Sequence, residues 1–209
     1  MRATYNLIAG QSLERLAALS DGVFAIAMTL LVLDLRVPLS SGISTEHDLW
    51  RALAPLAPQL VAYLMTFVTL GIFWVGQQTQ VSRFIRCDRD LAWIHIGFLL
   101  AVSMTPFSTG LLAEFITFRI ALIVYWANIL LLGVALFGSW RYATRTGLVK
   151  EDTTQEIGRA VERRIVVAQA LYALGALLCI VNTYWSIAVI VLVQLNYVFA
   201  PRFRLLYRL

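Results

Sequence analysis

The sequence has few charged residues and few of the residue types that build metal or catalytic centres. Only 14% of its 209 residues are Asp, Glu, Lys or Arg, against about 25% in an average soluble domain, whereas 60% are hydrophobic. It has two cysteines and two histidines. Cys87 and Cys179 are far apart and form no CxxC motif, so neither a disulfide framework nor a zinc site is indicated.

The sequence also lacks the residue groupings of an enzyme or a nucleic-acid-binding protein. His47 and His95 stand alone, without a nucleophile–base pair or a cluster of metal ligands, and the acidic residues are scattered. We therefore expect no enzyme, no metal and no cofactor. The net charge of +5 comes from basic residues at the ends of apolar runs rather than from a basic stripe interleaved with aromatics. Nucleic acid is therefore not an expected partner.

Long apolar runs are what the chain has instead, and they predict an all-α, polytopic membrane protein. The mean hydropathy of +0.76 favours the same class. We predict that residues 1–209 form one domain of six transmembrane helices. The predicted spans are 16–35, 53–80, 91–112, 118–140, 165–181 and 184–201. Only the segment VNTYW separates the last two, so five spans with one long bent helix remain an alternative.

The distribution of basic residues predicts the orientation of these spans. Six spans place both termini on one side, and fourteen of the seventeen Lys and Arg residues then lie on that side, which predicts cytoplasmic termini. The fourteen are Arg2, Arg15, Arg83, Arg86, Arg89, Arg141, Arg145, Lys150, Arg159, Arg163, Arg164, Arg202, Arg204 and Arg208.

The first span carries an acidic residue, Asp21, within an apolar run. The stretch from Gly22 to Leu33 would make a helix only about 18 Å long, which is too short for a hydrocarbon core of about 30 Å. The helix must therefore include Leu16 to Ser20, and Asp21 then lies inside the membrane. The alternative is that Ser20 and Asp21 cap a helix that starts at Gly22. An ionisable group inside the membrane needs a partner, and the candidates are Gln77, Gln78, His95 and Arg83.

Beyond Asp21, the first span has an apolar stripe. Ile26, Leu30 and Leu33 follow one another at helical spacing, and Thr29 flanks them. Plain packing or lipid contact is the first explanation of such a stripe in a membrane helix, and periodicity alone does not identify it as the lining of a pore.

The segment RLAALSDGVFAIAMTLLVLDL, residues 15–35, closely resembles the first-helix signature of the transmembrane protein 175 family, of which bacteria carry single-repeat versions. Leu19 replaces the usual Phe of that signature. Weaker similarity runs through LGIFWVGQQTQVSRFI, SMTPFSTGLLAEF and YWANILLLGVALFGSWRYA. The matching residues are Arg15, Ser20, Asp21, Gly22, Ala25, Ile26, Ala27, Thr29 and Leu30.

The resemblance implies a homotetramer of six-helix subunits that conducts potassium ions through a central pore lined by the first helices, in the cell membrane. It implies that Ile26 forms the first apolar ring of the constriction, that Leu30 and Leu33 follow on the same face, and that Thr29 supplies a nearby hydroxyl. A polar network between helices would hold the first helix in place. Its members would be Arg15, Ser20, Asp21, Trp74, Gln77 and Gln78.

Two features of the sequence bear on this expected function. The chain has no TVGYG-type loop, which agrees with an apolar constriction instead of a filter of carbonyl groups. Gln77 and Gln78 stand where many relatives have histidines, and amides do not titrate near neutral pH. A secondary transporter that uses Asp21 as an ion- or proton-coupling site is the alternative function. It predicts inverted repeats and broken helices, and the sequence shows no clear internal repeat. A purely structural membrane subunit is a further alternative.

Overall fold

The computed structural model describes residues 12–39 and 42–199, and it is helical throughout these ranges apart from turns and loops. The only β pairing in this part of the chain is a single bridge between Phe84 and Val149. The all-α prediction is therefore confirmed. The α-helices are α1 Leu13–Leu30, α2 Glu46–Leu53, α3 Ala57–Val81, α4 Arg89–Ser103, α5 Thr105–Glu114, α6 Arg119–Arg145, α7 Gln155–Leu177 and α8 Thr183–Phe199. The predicted cytoplasmic residues Arg2, Arg202, Arg204 and Arg208 and the end of the predicted sixth span lie outside the described residues.

Each predicted span overlaps an apolar helix of the structure. Five helical runs among the described residues are long and apolar enough to cross a membrane, and α8 is a shorter apolar helix of 17 residues. A turn at Val181 and Asn182 separates α7 from α8, so these two are not one bent helix. They pack side by side in opposite directions. Ser186 Oγ donates to the carbonyl oxygen of Gly175 at 2.6 Å near the turn, and the Tyr197 hydroxyl donates to the carbonyl oxygen of Arg164 at 3.4 Å farther from it. The five long runs are Leu13–Asp34, Glu46–Val81, Arg89–Glu114, Arg119–Arg145 and Gln155–Ile180.

The second run starts before the predicted boundary at residue 53. Helix α2 begins at Glu46, where Thr45 and Asp48 form a reciprocal capping box. A 3-10 turn at Ala54–Leu56 then joins α2 to α3. Prolines lie in the first residues of this turn and of α3, positions at which a missing backbone N–H costs nothing.

The third predicted span, 91–112, consists of two helices rather than one. Asp88 caps α4 by accepting a hydrogen bond from the backbone N–H of Leu91 at 2.9 Å. Helix α4 ends at Ser103, and α5 starts after Met104 with Pro106 near its beginning. Proline cannot continue the hydrogen-bond ladder of a helix interior, which explains the break.

Helix α1 is packed on one side only. Its buried face lies against α3 and α4, where the ring centroids of Phe24 and Phe98 are 5.9 Å apart. The other half of α1 is exposed along its length. The buried residues are Leu16, Ser20, Phe24, Ala27 and Leu31.

Two loops that are rich in basic residues meet at one end of the bundle. The backbone N–H of Ile85 donates to the carbonyl of Leu148, and that of Lys150 donates to the carbonyl of Arg83, both at 2.9 Å. Leu16, near the start of α1, belongs to the buried cluster at this same end. The start of α1 and both loops therefore lie together, in agreement with the single basic side expected from the sequence.

The middle of the bundle contains a buried cluster of neutral polar side chains. Thr66 Oγ1 is 2.9 Å from Thr109 Oγ1, and Thr69 Oγ1 is 3.3 Å from the hydroxyl of Tyr125. Gln194 Nε2 donates to Thr69 Oγ1 at 2.6 Å, so the cluster joins α3, α5, α6 and α8. Polar groups inside a membrane must find partners within the protein, and these contacts supply them.

Candidate ion pathway on the first helix

Ser20 and Asp21 lie inside α1 rather than at its start. The helix begins at Leu13, and its N-cap is Ser12, whose side chain accepts a hydrogen bond from the backbone N–H of Arg15. The prediction that the helix extends back beyond Gly22 is therefore confirmed. The alternative, in which Ser20 and Asp21 cap a helix starting at Gly22, is wrong.

Asp21 is bound by two side chains of α3. Its Oδ1 accepts a hydrogen bond from Trp74 Nε1 at 2.8 Å and another from Gln78 Nε2 at 2.7 Å. Trp74 and Gln78 are four residues apart and so project from the same face of α3. Hydrogen bonds to a carboxylate are stronger than those between neutral groups, so α1 and α3 are joined here by a strong pair of contacts.

Ser20 makes a second connection to α3, one residue away from the first. Its hydroxyl donates to the carbonyl oxygen of Leu16 at 2.9 Å and accepts from Gln77 Nε2 at 3.0 Å. Ser20 and Gln77 are fully buried, whereas Asp21 is exposed in the isolated chain. The structure thus brings together five of the six residues that the resemblance assigns to a polar network: Ser20, Asp21, Trp74, Gln77 and Gln78.

The remaining predicted contacts of this network are not made. Arg15 is exposed, and its side chain makes no hydrogen bond or ion pair with another described residue. Arg83 pairs with Asp152 at 3.6 Å. His95 is buried, and its Nδ1 lies 3.1 Å from the carbonyl oxygen of Leu91. The prediction that His95 or Arg83 is a partner of Asp21 is therefore wrong. Trp74, which was not among the candidate partners, is one of the two donors.

The apolar stripe of α1 lies on the exposed half of the helix. Ile26 is 60% exposed, Leu30 44% and Leu33 70%. Leu30 and Leu33 border a groove whose other wall is α5. Gly22 and Ala25 lie on the same exposed half. Small residues on a membrane helix allow a neighbouring helix to approach closely, so this half of α1 is shaped for contact with other helices.

Thr29 lies beside this stripe, and its hydroxyl proton is used within the helix. Oγ1 donates to the carbonyl oxygens of Ala25 and Ile26, at 3.0 and 2.9 Å. This back-bonding is common for Thr in helices. Because the proton is used within the helix, the exposed Thr29 oxygen can act only as an acceptor towards groups outside it. An acceptor oxygen is the kind of atom that coordinates a cation.

A polar cavity lies at the end of α1 opposite to the basic loops. Asp34, Arg36, Gln59 and Glu114 line it, together with Gly110 and Ala113. The Asp34 carboxylate approaches the backbone of α5 so closely that a Cβ on Gly110 would lie 3.2 Å from its Oδ2. Glu114, which no sequence pattern marks as a site residue, lines this cavity from the last position of α5.

Comparisons with known proteins assign the chain to a family. The sequence model of the family described as the endosomal/lysosomal potassium channel TMEM175 matches residues 15–106, which include all but the first two residues of α1 and the α3 residues that hold it. A protein of Streptomyces collinus that is named a potassium channel is 34% identical over 190 residues, which are 88% of this chain and 91% of that protein. The chain belongs to the TMEM175 family.

Two further matches extend to most of the chain. A potassium channel of Chamaesiphon minutus is 30% identical over 179 residues, which are 84% of this chain and 88% of that protein. The crystal structure of a lysosomal potassium-selective channel TMEM175 homolog from Chamaesiphon minutus superposes with a TM-score of 0.79 at 27% identity, over 91% of this chain and 98% of that one. The TMEM175 resemblance that the first helix indicated is confirmed, and a channel family is not a class of enzyme.

Proposed function

We propose that this TMEM175-family protein is a potassium-permeable channel that conducts passively through the central pore of a homotetramer. One observation carries the proposal. The apolar stripe Ile26, Leu30 and Leu33 is exposed in the isolated chain, on a helix whose opposite face is fixed by buried contacts. Relatives that match most of the chain are named potassium channels.

The proposed constriction is a set of apolar rings. Four copies of α1 around a central axis would bring four Ile26 side chains together, followed by the rings of Leu30 and Leu33. Such a constriction gates by its width and by loss of water, because its walls offer no ligand to replace the hydration shell of an ion. Thr29 would present hydroxyl oxygens beside the first ring, and Asp34 and Glu114 would attract cations at one mouth of the pore.

Contacts between subunits would complete the polar network. Among the described residues of one chain, Asp21 accepts hydrogen bonds through Oδ1 only, and its second oxygen is not used. Arg15 also lies on the exposed half of α1. In a tetramer, both groups would face neighbouring subunits, so the network would fix the angle of each α1 relative to the pore axis.

The proposed location is the plasma membrane, with both termini in the cytoplasm. The start of α1 and the loops after α3 and α6 lie at one end of the bundle, where most of the basic residues are found. An excess of Lys and Arg in loops is typical of the cytoplasmic side. The cavity lined by Asp34 and Glu114 would then open to the outside.

The replacement Ile26→Asn tests the channel proposal. An amide at the first ring would keep the constriction wet, so we expect a larger current or weaker discrimination between potassium and sodium. The measurement is the current of purified protein in planar bilayers under potassium and sodium gradients. Ile123→Asn is the matched control, since Ile123 is 46% exposed on α6, a helix that is not among the main packing partners of α1. Unchanged current in Ile26→Asn would refute the gate, and absence of current in the unmodified protein would refute the channel.

A secondary transporter is the second candidate, because the break at Met104 is the kind of interrupted helix that such proteins use. In that case Asp21 would couple transport to an ion or a proton. Flux that saturates with potassium concentration and disappears in Asp21→Asn would favour this function. A channel predicts a passive current that follows the potassium gradient and survives this substitution.

A further inference from the structure

Helix α3 has a cavity on the side that does not face α1. The cavity has a volume of about 80 Å³ and lies between α3, α6, α7 and α8. Gln77, which holds Ser20 of the pore-facing helix, and Gln80, which lines the cavity, are neighbours on α3. The cavity is therefore separate from the proposed pore, although one helix borders both.

Three polar atoms at this cavity have no hydrogen-bond partner in the described part of the chain. They are Oε1 of Gln80, the hydroxyl of Tyr172 and Oε1 of Gln169. Gln80 and Tyr172 are each only 1% exposed. The amide nitrogen of Gln80 is already used, because it donates to the carbonyl of Leu136 at 3.1 Å. An unpaired buried polar group lowers the stability of the folded state, so a bound molecule with polar atoms at this depth would be stabilised here.

The cavity also has a cation at its edge. Arg164 lines it, with the guanidinium carbon 5.9 Å from the ring centroid of Tyr197. Arg164 makes no ion pair with another described residue, whereas Glu162 of the same helix pairs with Arg141 at 3.8 Å. A guanidinium that is held against an aromatic ring and lacks a counter-ion is suited to bind a phosphate or carboxylate.

The rest of the lining is apolar. It is contributed mainly by Ile72, Phe73, Leu136, Ile165 and Ala168. Arg164 lies toward the bundle end that holds the basic loops, because α7 runs from that end towards the turn before α8. A charged edge, polar groups below it and apolar walls follow the order of chemical groups in a phospholipid from its headgroup to its acyl chains.

We propose that this cavity binds an anionic phospholipid from the leaflet at the basic end of the bundle. The phosphate pairs with Arg164, the glycerol ester oxygens below it accept a hydrogen bond from the Tyr172 hydroxyl, and part of one acyl chain packs against the apolar walls. Basic pockets between membrane helices are known to select lipids in this way. The bound lipid would brace α3 from the side opposite to α1.

The first experiment compares two neighbouring arginines. Full-length protein is purified in detergent with phosphatidylglycerol or phosphatidylcholine, and the lipids retained by each chain are counted by native mass spectrometry. We expect retention of phosphatidylglycerol over phosphatidylcholine, about fivefold weaker in Arg164→Gln and unchanged in Arg163→Gln, whose side chain does not line the cavity. Equal losses in both variants would show general charge attraction and overturn the proposal. Equal retention of the two lipids would also overturn it.

A second pair of variants tests the cavity itself. Ala168→Phe fills the apolar wall and leaves Arg164 in place, and Ala170→Phe adds the same ring at an exposed position of α7 outside the cavity. We expect phosphatidylglycerol to be lost from Ala168→Phe only. If both variants retain the lipid, the arginine acts from the surface or the cavity holds only water, and the proposal is wrong. The channel proposal does not depend on either result.

Discussion

Asp21 accepts hydrogen bonds from two side chains of α3, although it carries a charge in one of the most apolar segments of the chain. The donors are the indole of Trp74 and the amide of Gln78, and both reach the same carboxylate oxygen. Neither donor titrates, so both remain hydrogen-bond donors across the physiological pH range. At the scale of single residues, this is the feature that fixes the rotation of α1.

The substitutions Asp21→Asn and Asp21→Leu separate the charge of this residue from its hydrogen bonds. Asn retains an acceptor oxygen for Trp74 and Gln78, whereas Leu leaves both donors unpaired. We therefore expect Asp21→Leu to lower the stability by about 1–3 kcal/mol, and Asp21→Asn to lower it much less. Thermal unfolding of the purified protein in detergent measures both. Equal losses would show that the charge rather than the hydrogen bonding holds α1.

Cys87 is a thiol that we expect to be unreactive in the folded protein. It lies in the loop before α4 and is 5% exposed. Burial, and then the nearby Asp88, raise the pKa of the thiol to about 11. Because the thiolate is the reactive form, N-ethylmaleimide at pH 8 should label Cys87 much more slowly in native than in denatured protein, as measured by mass spectrometry of a digest. Rapid native labelling would contradict this burial.

The same pKa shift gives a dependence of stability on pH. Between the ordinary thiol pKa and about 11, the folded chain keeps this proton while the unfolded chain loses it. The contribution of Cys87 to the free energy of unfolding is therefore fully present below the ordinary thiol pKa, and it is lost as the pH rises towards 11. A Cys87→Ala variant should show a smaller loss of stability over this alkaline range.

Among the elements, α6 and α7 are packed so closely at one glycine that any larger residue would displace a neighbouring side chain. A Cβ on Gly133 would overlap the side chain of Gln169. Gln169 is also placed by a hydrogen bond from its Nε2 to the carbonyl of Ile129 at 3.4 Å. Close packing at small residues is a general device for joining membrane helices, and here it positions one wall of the cavity behind α3.

A pair of glycine substitutions tests this packing. We expect Gly133→Ala to destabilise the protein by about 1–3 kcal/mol because Gln169 must move. Gly138→Ala, on the same helix, meets nothing within 4 Å and should have little effect or raise the stability. Thermal unfolding of each variant and of Gly133→Ala with Gln169→Ala provides the comparison. The second change should recover part of the loss, and the absence of any recovery would point to a different cause.

The sequence predicts the apolar elements better than their interruptions and contacts. Ser20 and Asp21 can be predicted inside α1 because hydrocarbon thickness is a fixed constraint. The single span predicted for residues 91–112 does not include the break at Met104, although Pro106 is a visible signal of it. Contacts such as Gln194 with Thr69, 125 residues apart in the chain, depend on which helices become neighbours, and periodicity within one helix carries no such information.

At the scale of the whole molecule, buried contacts join the helices of the bundle, whereas one half of α1 is packed against no other helix of the described chain along most of its length. The neutral polar cluster of Thr66, Thr69, Tyr125 and Gln194 joins helices deep inside it. The exposed half of α1, in contrast, carries the side chains of Ile26, Leu30 and Leu33, which are 60%, 44% and 70% exposed in the single chain. In the proposed tetramer, this half of α1 would lie at the centre of the assembly.

Cross-linking tests this arrangement in full-length protein that has Cys87 and Cys179 replaced by serine. We expect Ile26→Cys to form disulfide-linked dimers on oxidation in membranes, because four α1 helices would converge at this position. Ile123→Cys, exposed on α6, is the control and should remain monomeric on denaturing gels. The native mass should equal four chains. Monomeric native protein, or equal cross-linking at both positions, would exclude the tetramer with α1 at its centre.

The two backbone hydrogen bonds that join the loops after α3 and α6 have a consequence for biosynthesis. Arg83 and Ile85 are separated from Leu148 and Lys150 by two complete membrane spans, which must cross in opposite directions for the loops to emerge on the same side. If either span failed to insert, the loops would be on opposite faces of the bilayer and could not pair. The short ribbon between them therefore requires the third and fourth spans to insert as a pair.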